Sequence, residues 1–126
     1  MKLTEAEWKI MNVAWERSPA SARDILERVE RETDWAYTTV KTLLSRLEAK
    51  GALRSRMRAN TALYEPVLTP AQARRSALRS FLDTAFHGAF GPMMQFLVSD
   101  ERLSKKQRDE LVRLLKESRQ KKGGRK

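Results

Sequence analysis

The chain has 126 residues, 40% of them hydrophobic and 33% charged, which suits one folded domain or one small domain with an appendage and excludes a wholly disordered polymer. Lys+Arg 26 against Asp+Glu 16 gives a formal charge of +10 and a pI near 10.4, the balance of a protein with a polyanionic partner. There is no cysteine and a single histidine, His87, so a disulfide framework, a thiolate metal site and a multi-histidine centre are all excluded.

The opening MKLTEAEWKIMNVAW carries acids where a secretory leader needs an unbroken apolar run. No stretch approaches the roughly 18 apolar residues of a membrane span. The expectation is a soluble, cytoplasmic protein with no membrane insertion. A first helix is predicted from Thr4. Thr4 and Glu7 have capping-box spacing, and Leu3 with Trp8 is placed for a hydrophobic staple. Its inward stripe reads Trp8, Met11 and Trp15, supported by Ile10 and Ala14.

Arg17-Ser-Pro-Ala20 breaks that pattern and fits a short turn or edge strand, because proline lacks a donor. Ser21 then caps a second helix, with Asp24 in the box position and Ala22, Ile25, Leu26 and Val29 facing inward. Its other positions mix arginine and glutamate and read as solvent face. Thr33-Asp34 offers a stop and a new cap.

The stretch Ala36–Leu53, AYTTVKTLLSRLEAKGAL, gives the third helix. Val40, Leu43, Leu44 and Leu47 recur at i, i+3, i+4 and i+7, a single buried stripe. The opposite face holds Thr38, Thr42, Ser45 and Ala49, flanked by Lys41 and Arg46, and Gly51 ends the helix. A small, hydroxylated, basic face suits base edges and phosphates better than the mixed long charges of an ordinary solvated helix. Ala49 lies toward the C-terminal end, whereas base contacts come mainly from the first turns.

After Gly51 the period changes to two. Leu53, Ser55 and Met57 alternate with Arg54, Arg56 and Arg58, which predicts a strand with one face inward. Ala59-Asn60-Thr61 is the turn, and 62–68 returns as a second strand in which Pro66 belongs at an edge or an end. Three arginines without an acid among them favour phosphate over a merely charged strand face. Residues 36–64 hold six bases and one acid. Three helices followed by a hairpin is the winged helix-turn-helix order, with the third helix in the major groove and the hairpin as wing.

Thr69-Pro70 opens a fourth helix, with Gln72 completing a capping box, and it is expected to run to about His87. Gly88 and Gly91-Pro92 interrupt the chain before a short apolar helix at 93–98. Ser104 and Gln107 box a last helix. The final RQKKGGRK holds five bases and no acid and is expected to fray. Leu78, Phe81, Leu82, Phe86, Phe90, Met94, Leu97, Leu111, Leu114 and Leu115 are apolar positions of this second half. Fewer than 60 residues without a disulfide bury too little to stand comfortably alone, so these positions are expected to pair with a second copy.

The fold class expected is mainly α: a winged helix-turn-helix domain over 1–69, a helical dimerisation domain over 70–118 and a basic flexible tail over 119–126. No paired carboxylates share an inner face, and no Ser/His/Asp set or glycine-rich phosphate loop occurs, so the sequence does not read as an enzyme or call for a cofactor or metal. The order LTEAEWKIMNVAWE, then Ser21, Ala22 and Ile25, then AYTTVKTLLSRLEAKG before an arginine-rich hairpin resembles the penicillinase repressors of the BlaI/MecI type, over Leu3 to about Leu115. The resemblance implies a homodimeric winged-helix repressor on a dyad DNA operator with TACA/TGTA elements. In its antibiotic-resistance branch it further implies a membrane sensor metalloprotease, after whose signal the repressor is cleaved in the C-terminal domain. By position, Thr39, Lys41 and Thr42 match recognition-helix contacts, Arg46 a basic position of the same helix, and Arg56, Arg58 and Asn60 the wing. Base reading is thus expected from Thr38, Thr39, Lys41 and Thr42, and backbone or wing contacts from Ser45, Arg46, Arg54, Arg56, Arg58 and Asn60.

Two features depart from the resemblance. Lys41 stands where the resistance repressors have arginine, and lysine lacks the bidentate fork. Neither Asn12 nor Asn60 is followed by the phenylalanine of the family's cleavage site, and the matching region reads Phe96-Leu97-Val98. A copper-sensing role of the cysteine-bearing branch is excluded by the absence of cysteine. Other readings are a non-specific architectural DNA protein, which explains the charge but not the threonine face, and a winged-helix module for an acidic protein partner.

Overall fold

A computed structural model describes residues 1–99 and 103–123, those from 119 on by their backbone. The elements follow the order α1 (Glu5–Glu16), β1 (Ala20–Ser21), α2 (Ala22–Val29), α3 (Tyr37–Lys50), β2 (Leu53–Arg58), β3 (Thr61–Pro66), α4 (Pro70–Phe86), α5 (Phe90–Ser99) and α6 (Lys105–Gly123). They divide into two compact units, Met1–Ser80 and Phe81–Lys126. The fourth helix, expected to open the second domain at Pro70, therefore gives its first turns to the first unit.

In the first unit, local chemistry sets the helix ends. Thr4 and Glu7 form a full capping box on α1, and Ser21 and Asp24 do the same on α2. Gly51 closes α3 in the left-handed conformation at φ 83. The core joins Ile10, Met11 and Ala14 of α1, Ile25 and Val29 of α2, and Val40, Leu43, Leu44 and Leu47 of α3, with Leu53 and Tyr64 from the sheet. The α3 stripe is as its spacing predicts. The α1 stripe is not. Trp8 and Trp15 are only half-buried and pack edge-to-face at 5.9 Å on the rim, while Glu7 is sealed inside. The indole needs a partner for its N–H, and Trp15 Nε1 finds it in the Leu68 carbonyl at 2.8 Å.

The sheet is antiparallel in the order β1-β3-β2. The prolyl segment turns through a cis Ser18–Pro19 bond and supplies the two-residue edge strand β1. Pro66 ends β3, where no further ladder bond is required. Two expectations change. Asp34 does not cap α3; its N-cap is Ala36, with no side-chain hydrogen bond, and Thr33 instead bonds back to the Val29 carbonyl. The β2 strand buries Leu53 alone, so the face shared by Ser55 and Met57 is open rather than turned into the core.

The second unit has α5, α6 and the end of α4. Met93 is its buried apolar residue among those described. Phe86 packs edge-to-face on Phe81, ring centres 5.8 Å apart, and tilted against Phe96 at 6.2 Å. Gly91 and Pro92 lie within the first turn of α5, where proline has no intrahelical donor to lose, so the apolar helix starts earlier than the break suggested. Ser104 and Gln107 form the expected box at α6. The α6 helix continues to Gly123, into the stretch expected to be a tail; residues 124–126 of that stretch lie outside the described residues. Among the described residues, no helix is long and apolar enough to cross a membrane.

Candidate nucleic-acid interface

Gly51 and the buried α3 stripe fix the direction of the third helix, and that fixes what it shows to solvent. Thr38, Thr39, Thr42, Ser45, Arg46 and Ala49 are all exposed. The Thr42 hydroxyl donates to the Thr38 carbonyl at 2.9 Å, which holds its oxygen outward as an acceptor. This leaves a low, hydroxyl-bearing ridge with Arg46 beside it.

Lys41 behaves differently from its neighbours. It is half-buried, its Nζ 3.5 Å from the Tyr64 hydroxyl and 6.0 Å from the ring centre. Tyr64 is buried on β3 and so ties the first half of α3 to the wing. Further along the helix, Ser55 of β2 donates to Glu48 at 2.6 Å. The single acid of residues 36–64 is thereby turned to the hairpin and away from the threonine face. At the start of α3, the Arg23 guanidinium lies over Tyr37 at 5.0 Å, joining α2 to α3.

Between the N-terminal ends of α2 and α3 and the wing runs an open groove of about 660 Å³, lined by Ser21, Arg23, Asp24, Glu27, Tyr37, Lys41, Met57, Asn60, Ala62 and Tyr64 among others. Asp24 is engaged locally: the Ser21 amide and hydroxyl, with Arg17 nearby, outweigh desolvation and hold its carboxyl below the usual range. Of the two acids on the groove wall, Asp24 is thus already partnered, while Glu27 adds a second carboxylate to the α2 side.

The register decides which side of the wing meets the groove. Met57 pairs with Ala62 and Ser55 with Tyr64, and these share the groove side. Arg54, Arg56 and Arg58 occupy the opposite side. They are not free of acids as the sequence suggested. Glu65, across the ladder from Arg54, lies 3.3 Å from Arg56 Nε and 4.0 Å from Arg54 Nε. Arg58, next to the turn, has no ion pair among the described residues and is the wing arginine with its charge most available. Asn60 sits in the two-residue turn and lines the groove.

Sequence reasoning picked out the α3 face but missed Tyr64, Tyr37 and Arg23. Only the alternation of β3 against β2 could have put Tyr64 on the inner face. Among the described residues, no group of three or more His, Asp or Glu side chains is placed to hold a metal ion.

Residues 3–117 match the penicillinase repressor family profile. The chain is 27% identical to the methicillin resistance regulatory protein MecI of Staphylococcus aureus strain N315, over 90% of this chain and 93% of that one. It is 25% identical to a penicillinase repressor of Bacillus licheniformis, over 96% and 94% of the two chains. Among solved structures, it resembles the Bacillus licheniformis BlaI monomeric form in complex with the blaP half-operator. That match has a TM-score of 0.51 at 25% identity and covers 57% of this chain and 88% of that one.

Proposed function

The chain belongs to the penicillinase repressor family, and from that premise we propose that it represses transcription by binding DNA as a homodimer on a two-fold operator. The observation that carries this reading is the exposed Thr38–Thr39–Thr42–Ser45 ridge of α3, set beside Lys41, Arg46 and the wing in a segment of six bases and one acid. Hydroxyls and a lysine on the first turns read base edges, while Arg46, Arg58 and, more weakly, the Glu65-paired Arg54 and Arg56 neutralise phosphates. Residues 1–69 supply the DNA-binding part. Residues 70–118 supply dimerisation, supported by the exposure of Leu78, Phe81, Phe90, Leu97, Leu114 and Leu115, with Leu82, Phe86, Met94 and Leu111 half-buried beside them. A C2 pair sets two copies of α3 on half-sites one or more turns of roughly 34 Å apart.

Relief by proteolysis after a signal from a membrane sensor metalloprotease completes the proposal. A cut that removes the apolar helices of the second unit would separate the two reading heads and lower occupancy of the operator.

Selection of bound duplexes from a random pool tests the reading. Recovery of one motif repeated about a dyad is the expected result; equal recovery of all sequences would leave only non-specific binding, and no recovery would leave a protein-interaction module.

A further inference from the structure

Met57 is the most exposed large apolar side chain among the described residues, at 66%, and it stands on the groove side of the wing. Leu53, four residues earlier on the same side, is fully covered, so the strand's inner face leaves the core and continues into the groove as a thioether. Around it the groove is polar: Lys41, Tyr64, Asn60 and Arg23 line it, together with Glu27 and with Asp24, whose carboxylate is held by the Ser21 amide. An occupant that meets Met57 together with Lys41 of α3 and the Asn60 amide carries anionic oxygens or hydrogen-bond acceptors beside an apolar carbon surface. The sugar–phosphate backbone of a duplex has both, its deoxyribose carbons alternating with phosphates, and the net charge of +5 over residues 36–64 matches it.

We propose that Met57 is an uncharged DNA contact of the wing, its thioether chain packing against deoxyribose carbons while Lys41, which lines the same groove, engages the adjoining nucleotide. The proposal rests on the DNA-binding reading above. It gives the wing a grip that does not depend on counterion release and that a flexible methionine adapts to the local groove shape. Because every nucleotide carries the sugar, the contact raises affinity for operator and random duplex alike.

The experiment compares wild type, Met57→Ala and Met57→Leu on the selected operator and on a random duplex at several salt concentrations, with thermal unfolding and sedimentation of the free proteins. Met57→Ala should weaken both duplexes by about 5- to 20-fold, leave the salt slope, melting temperature and oligomeric state unchanged, and be rescued to within about twofold by Met57→Leu, which keeps most of the apolar volume. Replacing thymine by uracil in the operator should change nothing. Unaltered binding by Met57→Ala, a changed salt slope, a changed sedimenting mass, or a uracil effect cancelled by Met57→Ala would each overturn the assignment to the sugar. Failure of the wild type to bind any duplex would instead remove the DNA-binding reading on which it rests.

Discussion

The Lys50 ammonium lies 2.6 Å from Glu7 Oε1, joining the last turn of α3 to the first turn of α1 across 43 residues of sequence. The same carboxylate oxygen accepts the Thr4 amide at 2.8 Å, and Lys50 also donates to the Lys2 carbonyl at 2.9 Å. Glu7 thus serves a helix cap and an ion pair at once, and α3 is held at its C-terminal end by a buried charge.

Lys50→Met should destabilise the fold by about 2–3 kcal/mol. Breaking a buried pair costs roughly 3–5 kcal/mol, but here Lys50 is one-third exposed and Glu7 keeps the Thr4 amide. Urea unfolding measures this, and adding Glu7→Leu to Lys50→Met should return part of the loss, because the orphaned charge is then gone.

Stability should fall with acid through Glu7. Burial pushes its carboxyl up, yet Lys50 and the Thr4 amide and hydroxyl together hold it below the ordinary range. A folded-state value below the unfolded one means the contribution is complete above about pH 4.3–4.5 and is lost as pH drops through the folded value. Asp24, lowered chiefly by the Ser21 amide, acts in the same sense. The stability gap between wild type and Glu7→Gln should therefore be widest near neutrality and close below pH 4; a gap that persists unchanged into acid contradicts this account.

Reading and gripping should separate by residue. Lys41→Ala should relax selectivity at one base pair per half-site, whereas Arg58→Ala should weaken all sequences alike and reduce the salt slope by about one per contact. Arg56→Ala should do less than Arg58→Ala, because Glu65 already occupies Arg56 at 3.3 Å. Titrations of each variant against operator and random duplex check the ranking.

The wing turn carries a removable strain. Ala59 sits at φ 56, a left-handed conformation that costs a residue with a β-carbon about 1–2 kcal/mol. Ala59→Gly relieves it at an entropic cost of about 0.5–1 kcal/mol, so the melting temperature should hold or rise by a few degrees, with DNA binding retained.

The dimer should depend on the second unit. Leu114→Glu combined with Leu115→Glu, on side chains about half exposed in the single chain, should give a monomer by sedimentation. Its affinity for the whole two-fold site should drop by about 10²–10⁴ with half-site affinity unchanged, because only the linkage between two heads is lost.

What the sequence made legible was chiefly local. Four capping boxes, at Thr4, Ser21, Thr69 and Ser104, need partners only three residues away, and all four form. The Val40–Leu47 stripe announces its burial by period alone. The hairpin was legible as a hairpin, but its tilt was not: alternation gives two faces and says nothing of how far the strand runs beyond the core, so Met57 looked inward. Glu7 was read as a cap residue because its second partner is remote in sequence. Trp8 and Trp15 looked like core by size, whereas an indole with a donor to place settles on a rim. At the candidate interface, the α3 face followed from the helix period, while the Glu65 clasp on Arg54 and Arg56 required the ladder register.

The wing is rooted at one end only. Leu53 and Tyr64 are clamped in the core, and beyond them β2 has no buried residue. Amide hydrogen exchange should accordingly form a gradient along the hairpin, slow at Leu53 and Tyr64 and fast at Met57 and Thr61, without any opening of the three-helix body. The hairpin is then a lever whose angle is set at its base, so a substitution at Leu53 or Tyr64 would re-aim every contact at the tip, whereas one at Ala59 or Asn60 would change only the tip itself.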